Sequence, residues 1–250
     1  MPILGDLFAA FRDRIGELPT SAPIRDEQML SDSFLLEREG DLEIFYAPVD
    51  WLRPRARLAI VGITPGKETM RIALQTASRE VNEGRSDEEV LQKVKQMAPF
   101  SGFRAQLIEW LIWLGLAEHL DVSRENFWDE VSRVMHATSC VRYPVFVRGK
   151  NYSGGQPRLD RSPTLRRYIT GLLGPELSLI PDALVVPLGE KAGDALRLLA
   201  SEGSINLERC LLGFPHPSGA NGHRMRIWAE NRDAMKSKVT RFFELPNVTS

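Results

Sequence analysis

The chain has 250 residues, 43% hydrophobic and 26% charged, with a formal net charge of −1. That length and mix suit one large globular domain with a sizeable core. They exclude a globally basic protein, and no apolar run approaches the roughly eighteen residues of a membrane span.

The opening stretch, MPILGDLFAAFRDRIGEL, lacks a basic leader, and acids and arginines interrupt its apolar face, so no secretory signal is expected. Leu4, Leu7, Phe8, Phe11 and Ile15 share one side of an amphipathic helix. LEIFYAP (42–48) predicts a peripheral strand or hairpin. Four apolar runs predict strands: LAIVGI (58–63), VMHATSCV (134–141), ALVVPL (183–188) and CLLGF (210–214). None alternates cleanly, as expected of strands covered on both faces. Between them lie helical patterns. Residues 71–97 predict two helices broken at Asn82-Glu83-Gly84, and FRAQLIEWLIWLGL (103–116) predicts an amphipathic helix. Further helices are expected over 162–173 and 189–200, and a last one from about Arg224 to Phe243. GKNYSGGQPR (149–158) is a mobile loop by composition.

Strands alternating with helices predict a three-layer α/β/α fold with a four-stranded, mainly parallel sheet and right-handed crossovers. The two cysteines, Cys140 and Cys210, fall in strand-like runs and read as buried thiols of a reducing cytoplasm. They cannot supply the ligands of an iron–sulfur cluster, and no Cys/His spacing reads as zinc, so no metal or cofactor is expected. Charge is unevenly spread. Residues 142–167 hold seven basic residues and one acid, and residues 224–241 hold six basic residues and two acids. Such stretches are either ordinary solvated surface or a basic face on a neutral protein.

In parallel sheets the ligand site lies outside the carboxyl ends of the strands. Three polar turns leave those ends: GITPGKE (62–68), ATSCVRYP (137–144) and GFPHPSGANGHR (213–224). The Gly-Pro-Gly content of the first permits close backbone approach, but most such turns are only turns. The third is more telling. His216 stands between two prolines with small residues after it. A lone His is most often structural; one held rigidly is suited to donate a hydrogen bond to a developing oxyanion.

Taken together, these turns resemble the uracil-DNA glycosylase superfamily. HPSGANGHR is similar to its second motif, GITPG to its first, PFSGFRAQLIEWL (99–111) to an intervening segment, and VVPLGEKAGDAL (185–196) to the element before the second motif. The resemblance runs from about 58 to 228 in matching order. It implies a single domain over 1–250 with an N-terminal helical extension (about 1–50) and a helical insertion (about 69–98). By the same resemblance Phe100 stacks on an extruded base and His216 hydrogen-bonds the base oxygen in the transition state. Gly62, Ile63, Thr138 and Ser139 border the base. Pro65, Gly66, Lys67, Pro217, Ser218, Gly219, Ala220, Asn221, His223 and Arg224 face DNA. Ala220 stands where classical members insert a Leu and makes a poor wedge, which leaves strand insertion to another loop or to weakly paired substrate.

This sequence departs from the family at two places. Thr64 replaces the Asp or Asn that positions water, and Thr138, with Ser139 as a register alternative, replaces the Asn that reads the pyrimidine edge. A Thr hydroxyl orients water but is a negligible base. Three readings follow: a slow glycosylase, a protein that kept binding and lost catalysis, or a pocket widened for a larger base, with Glu68 or another acid supplying the missing carboxylate. The resemblance thus implies a monomeric, cytoplasmic DNA N-glycosylase acting on single- or double-stranded DNA. Its substrate would be a modified cytosine, such as glucosylated hydroxymethylcytosine of phage DNA, or else uracil. The alternatives are a DNA-binding or damage-sensing module and a small-molecule nucleoside or nucleotide hydrolase.

Overall fold

A computed structural model describes residues 3–5 and 7–244. The ends of the expected domain, residues 1, 2 and 245–250, lie outside the described residues. In chain order the first half contains α1 (Leu7–Gly16), α2 (Asp26–Met29), β1 (Leu35–Glu39), β2 (Leu42–Phe45), β3 (Leu58–Gly62), α3 (Lys67–Asn82), α4 (Asp87–Met97) and α5 (Arg104–Trp113). Then come α6 (Leu116–Leu120), α7 (Phe127–Val131), β4 (Met135–Ser139), β5 (Val145–Val147), β6 (Lys150–Asn151), α8 (Pro163–Tyr168), α9 (Gly174–Ser178), β7 (Leu184–Pro187), α10 (Glu190–Ser201) and α11 (Arg224–Glu244). No helix among the described residues is long and apolar enough to cross a membrane.

The chain divides into two compact units, each built from separate stretches of sequence. One comprises residues 1–52, 64–101 and 141–157; the other comprises 53–63, 102–140 and 158–250.

The second unit holds a three-stranded parallel sheet in the order β4-β3-β7. All five residues of β3 are buried, as a central strand requires. The expected fourth strand at 210–214 is reduced to one parallel bridge, Val185 with Cys210, and two further backbone bonds, Leu211 N–H to Val185 C=O and Gly189 N–H to Phe214 C=O. The physical reason lies in the run itself. Gly213 turns to φ +88°, which breaks the extended ladder, and Pro215 and Pro217 have no N–H to continue it. The four-stranded mainly parallel sheet is therefore corrected to three parallel strands. Around α5 and α11, Trp110 stacks on Trp228 at 4.8 Å, with Phe214 edge-on to both. Below the strand ends His136 of β4 and Glu176 of α9 meet at 2.6 Å, both fully buried.

The first unit holds a separate antiparallel sheet in the order β1-β2-β5-β6. The run expected as a peripheral strand or hairpin at 42–48 is β2, which pairs antiparallel with β1 as a hairpin and with β5 on its other side, so it lies inside this sheet. The stretch expected as a mobile loop begins with β6, which pairs Lys150 with Val147 through a tight turn at Arg148 and Gly149, φ +52° and +70°. The break between α3 and α4 falls where Asn82-Glu83-Gly84 predicts it, with Gly84 at φ +76°. Ser86 and Glu89 form a reciprocal capping box that starts α4. In the core of this unit Phe11 stacks on Tyr46 at 4.2 Å. Asp50, fully buried, accepts hydrogen bonds from the hydroxyls of Tyr46 and Tyr143. Burial raises its carboxyl above the ordinary range, against the lowering effect of those two bonds and of Arg142.

Candidate functional site

In the parallel-sheet unit the carboxyl ends of the strands stop at one level. Gly62 pairs with Ser139, Cys140 N–H donates to Gly62 C=O at 2.9 Å, and Leu188 N–H donates to Val61 C=O at 2.8 Å. The run at 210–214, bridged to β7 through Cys210, leads through Pro215 to His216.

His216 is held on several sides. A Cβ placed on Gly189, φ +88°, would stand 3.2 Å from the His216 Cβ, so only glycine lets the two segments approach this closely. The Phe103 ring meets the imidazole edge-on at 4.8 Å. Ser218 N–H donates to His216 Nδ1 at 3.2 Å. An Nδ1 that accepts leaves the proton of the neutral ring on Nε2. Burial pushes the imidazole below its ordinary value, which favours that neutral form. Nε2–H has no hydrogen-bond partner among the described residues. The ring is thus a fixed, neutral hydrogen-bond donor.

The loop after it is braced by Asn221. Its Nδ2–H donates to His216 C=O at 3.3 Å and its Oδ1 accepts from His223 N–H at 3.2 Å. Asn221 N–H returns to Ser218 C=O, and Arg224 N–H to Asn221 C=O. Arg224 Nη1 also donates to Asn221 C=O at 3.3 Å, while its buried Nε lacks an acceptor among the described residues. Gly219, Ala220, Gly222 and His223 are exposed.

At the other end of the sheet edge Thr138 is 6% exposed, and its Oγ1 is buried without a hydrogen-bond partner among the described residues. Such a hydroxyl is costly unless something compensates it. Ser139, next to it, is also buried.

The structure therefore brings Gly62, Ile63, Thr138, Ser139, His216 and the 217–224 loop into one unit. Thr64, Pro65, Gly66, Lys67, Glu68 and Phe100 belong to the other, where their interactions are specific. The Thr64 hydroxyl donates to Tyr143 C=O at 2.8 Å and accepts from Val145 N–H at 3.0 Å, which ties the turn to β5. Lys67 N–H donates to Asn151 Oδ1 at 2.9 Å, and its ammonium pairs with Asp26 at 2.8 Å. That ammonium and Arg71 hold the Asp26 carboxyl below the ordinary range. Glu68 is exposed and contacts Arg71 at 3.3 Å. Phe100 is buried at φ +57°. Phe103, which packs on His216, escaped the sequence reading; its position at the start of an amphipathic helix is the only sequence signal it carries.

No protein-family model matches the chain. Among curated proteins it is similar to "Uncharacterized protein YoxB" of Bacillus subtilis (strain 168), with 36% identity over 239 residues, covering 94% of this chain and 93% of that protein.

Proposed function

From a chain that belongs to the family of Bacillus subtilis YoxB, we propose a monofunctional DNA N-glycosylase that hydrolyses the bond between a flipped-out pyrimidine and deoxyribose. The observation that carries this reading is the fixed, neutral His216 with its Nε2–H presented as a donor. As the C1′–N1 bond breaks, both electrons go to the base, and negative charge develops on its carbonyl oxygen. A preorganised N–H donor stabilises that charge without reorganising. Water adds its oxygen to C1′, its proton is released, and an abasic site remains.

Two further features support the reading. The buried hydroxyl of Thr138 lacks a partner among the described residues and suits a base edge. The small, exposed residues around Gly219 and Gly222 allow a sugar–phosphate backbone to approach. A Thr reaches less far than an amide and leaves room for a base larger than uracil, so a modified cytosine such as glucosylated hydroxymethylcytosine is the favoured substrate, with antiphage defence as the setting and uracil repair as the other. The protein acts as a cytoplasmic monomer on double- or single-stranded DNA, with no metal or cofactor.

A second reading, a DNA-binding or damage-sensing module without catalysis, is favoured by one observation. The Thr64 hydroxyl is engaged with Tyr143 and Val145, and Glu68 with Arg71, so neither stands uncommitted to orient water.

The test is base release from oligonucleotides carrying uracil, hypoxanthine, hydroxymethylcytosine or glucosylated hydroxymethylcytosine, single- and double-stranded. Abasic sites from one base, lost in His216→Ala, establish the glycosylase. DNA binding with no release from any of them establishes the module.

A further inference from the structure

Two helices lead away from His216 side by side. At the near end Phe103, the residue before α5, packs on the His216 ring, and Arg224, the first residue of α11, donates to Asn221 C=O of the loop. Midway, Trp110 of α5 stacks on Trp228 of α11. At the far end Trp113, the last residue of α5, is edge-on to Trp228 at 5.5 Å. Two cations of α11 lie over the Trp113 ring, the Arg232 guanidinium at 5.0 Å and Lys236 Nζ at 5.0 Å. The contacts fall in the same order along both helices. At about 1.5 Å per residue the cluster therefore stands roughly 12–15 Å from the His216 loop.

Arg232 and Lys236 are one helical turn apart, where like charges repel. Carboxylates do little to relieve them. Asp233 is 4.0 Å from Arg232 Nε, outside hydrogen-bond reach, and that buried Nε has no hydrogen-bond partner among the described residues. The exposed Lys236 makes no ion pair among them. Glu109, one turn before Trp113, accepts instead from Gln106 at 2.9 Å. The indole face attracts both cations and holds them together.

We propose that Arg232 and Lys236, seated on Trp113, bind backbone phosphates of the DNA strand that flanks the nucleotide at His216. This rests on the reading of the His216 loop as DNA-facing. A phosphate beside the two cations removes their repulsion and takes up donors that the protein leaves unused. The ring has already ordered both side chains, so less entropy is lost on binding. The reach also fits: roughly 12–15 Å is about four phosphate steps of a B-form strand. Contacts of this kind fix the course of the strand and strengthen binding without reading its sequence.

The test measures, by anisotropy, how affinity for labelled single-stranded and duplex oligonucleotides falls with salt. Wild type is compared with Lys236→Gln, with Arg232→Gln/Lys236→Gln and with the charge-keeping Arg232→Lys/Lys236→Arg. Lys93→Gln, an exposed charge of α4, controls for net charge. Circular dichroism checks that each variant folds. The double Gln variant is expected to flatten the slope of log K against log salt by about 1.4 on a single strand or about 1.8 on a duplex. Lys236→Gln should give about half of that, and the charge-keeping variant and Lys93→Gln should leave the slope as in wild type. A smaller slope on either DNA supports the proposal, and the form that shows it identifies the flank as single-stranded or paired. Three outcomes overturn it: unchanged slopes on both DNAs in the double Gln variant, equal flattening by Lys93→Gln and Lys236→Gln, or no binding of either DNA by wild type. The readout involves no bond cleavage, so failure of the glycosylase reading shows separately, as no base release from any modified oligonucleotide.

Discussion

At the scale of single residues, the tautomer of His216 decides what the ring can do. Nδ1 accepts from Ser218 N–H, so Nε2 donates. Nitrogen-15 spectra are expected to show an unprotonated Nδ1 at neutral pH and a titration below that of an ordinary histidine. The sign of the pH dependence follows. A histidine whose folded value is lowered contributes stability that is complete above its unfolded value, about 6.5, and is lost as pH falls toward the folded one. The stability of wild type relative to His216→Asn, read from thermal melts, should therefore fall as pH drops below about 6.5, if no other group titrates differently between them. Thr138 gives a second prediction. Thr138→Val removes a buried hydroxyl that is unpartnered among the described residues, at nearly constant shape, so the free protein should gain about 1 kcal/mol, or about 2–4 °C in Tm. A fall in Tm would show that the hydroxyl is satisfied. The position of His216 between prolines was legible in the sequence. Its contact with Phe103 was not, because nothing local links residues so far apart in the chain.

At the scale of elements, the same division appears. The capping box at Ser86–Glu89 and the break at Gly84 follow from local chemistry, and both stand in the structure. The N-terminus of α3 is different: Gly66 has no side chain to cap it, and Asn151 from β6 supplies the acceptor. Asn151→Ala should cost about 1 kcal/mol in denaturant unfolding, the usual worth of a helix cap. Gly189, which opens α10, joins element to site. Gly189→Ala must hold an alanine at φ +88° with its Cβ against His216. A loss of about 1–2 kcal/mol is expected from the left-handed backbone, together with displaced His216 resonances. Unchanged resonances would mean that the two segments part without effect on the ring. The run at 210–214 read as a strand because its apolar residues match one; Gly213 and the prolines limit its pairing with β7.

At the scale of the whole molecule, each compact unit draws on several stretches of chain. Residues 1–52 supply α1, β1 and β2, and so two of the four antiparallel strands and much of the core around Phe11, Tyr46 and Asp50. Removal of residues 1–52 should therefore do more than trim an extension. It leaves β5 with an open edge and Tyr143 without its carboxylate partner. Such a shortened protein is expected to lose its cooperative thermal transition or to aggregate, as read by circular dichroism and light scattering. A sharp melt close to that of the full chain would show that the first unit holds without it.

Composition, the buried apolar runs of β3, β4 and β7, the helix breaks and the stiff turn around His216 were all determined by the sequence alone, because each depends on neighbours within a few residues. The tertiary structure decided the rest. It set three parallel strands in one unit and an antiparallel sheet in the other, engaged Thr64 with Tyr143 and Val145, paired Lys67 with Asp26, and set Phe103 and Gly189 against His216. Pairings of this kind depend on which distant segments meet. A hydroxyl, an ammonium or an imidazole has the same local signature whether its partner is water, a ligand or the far side of its own fold.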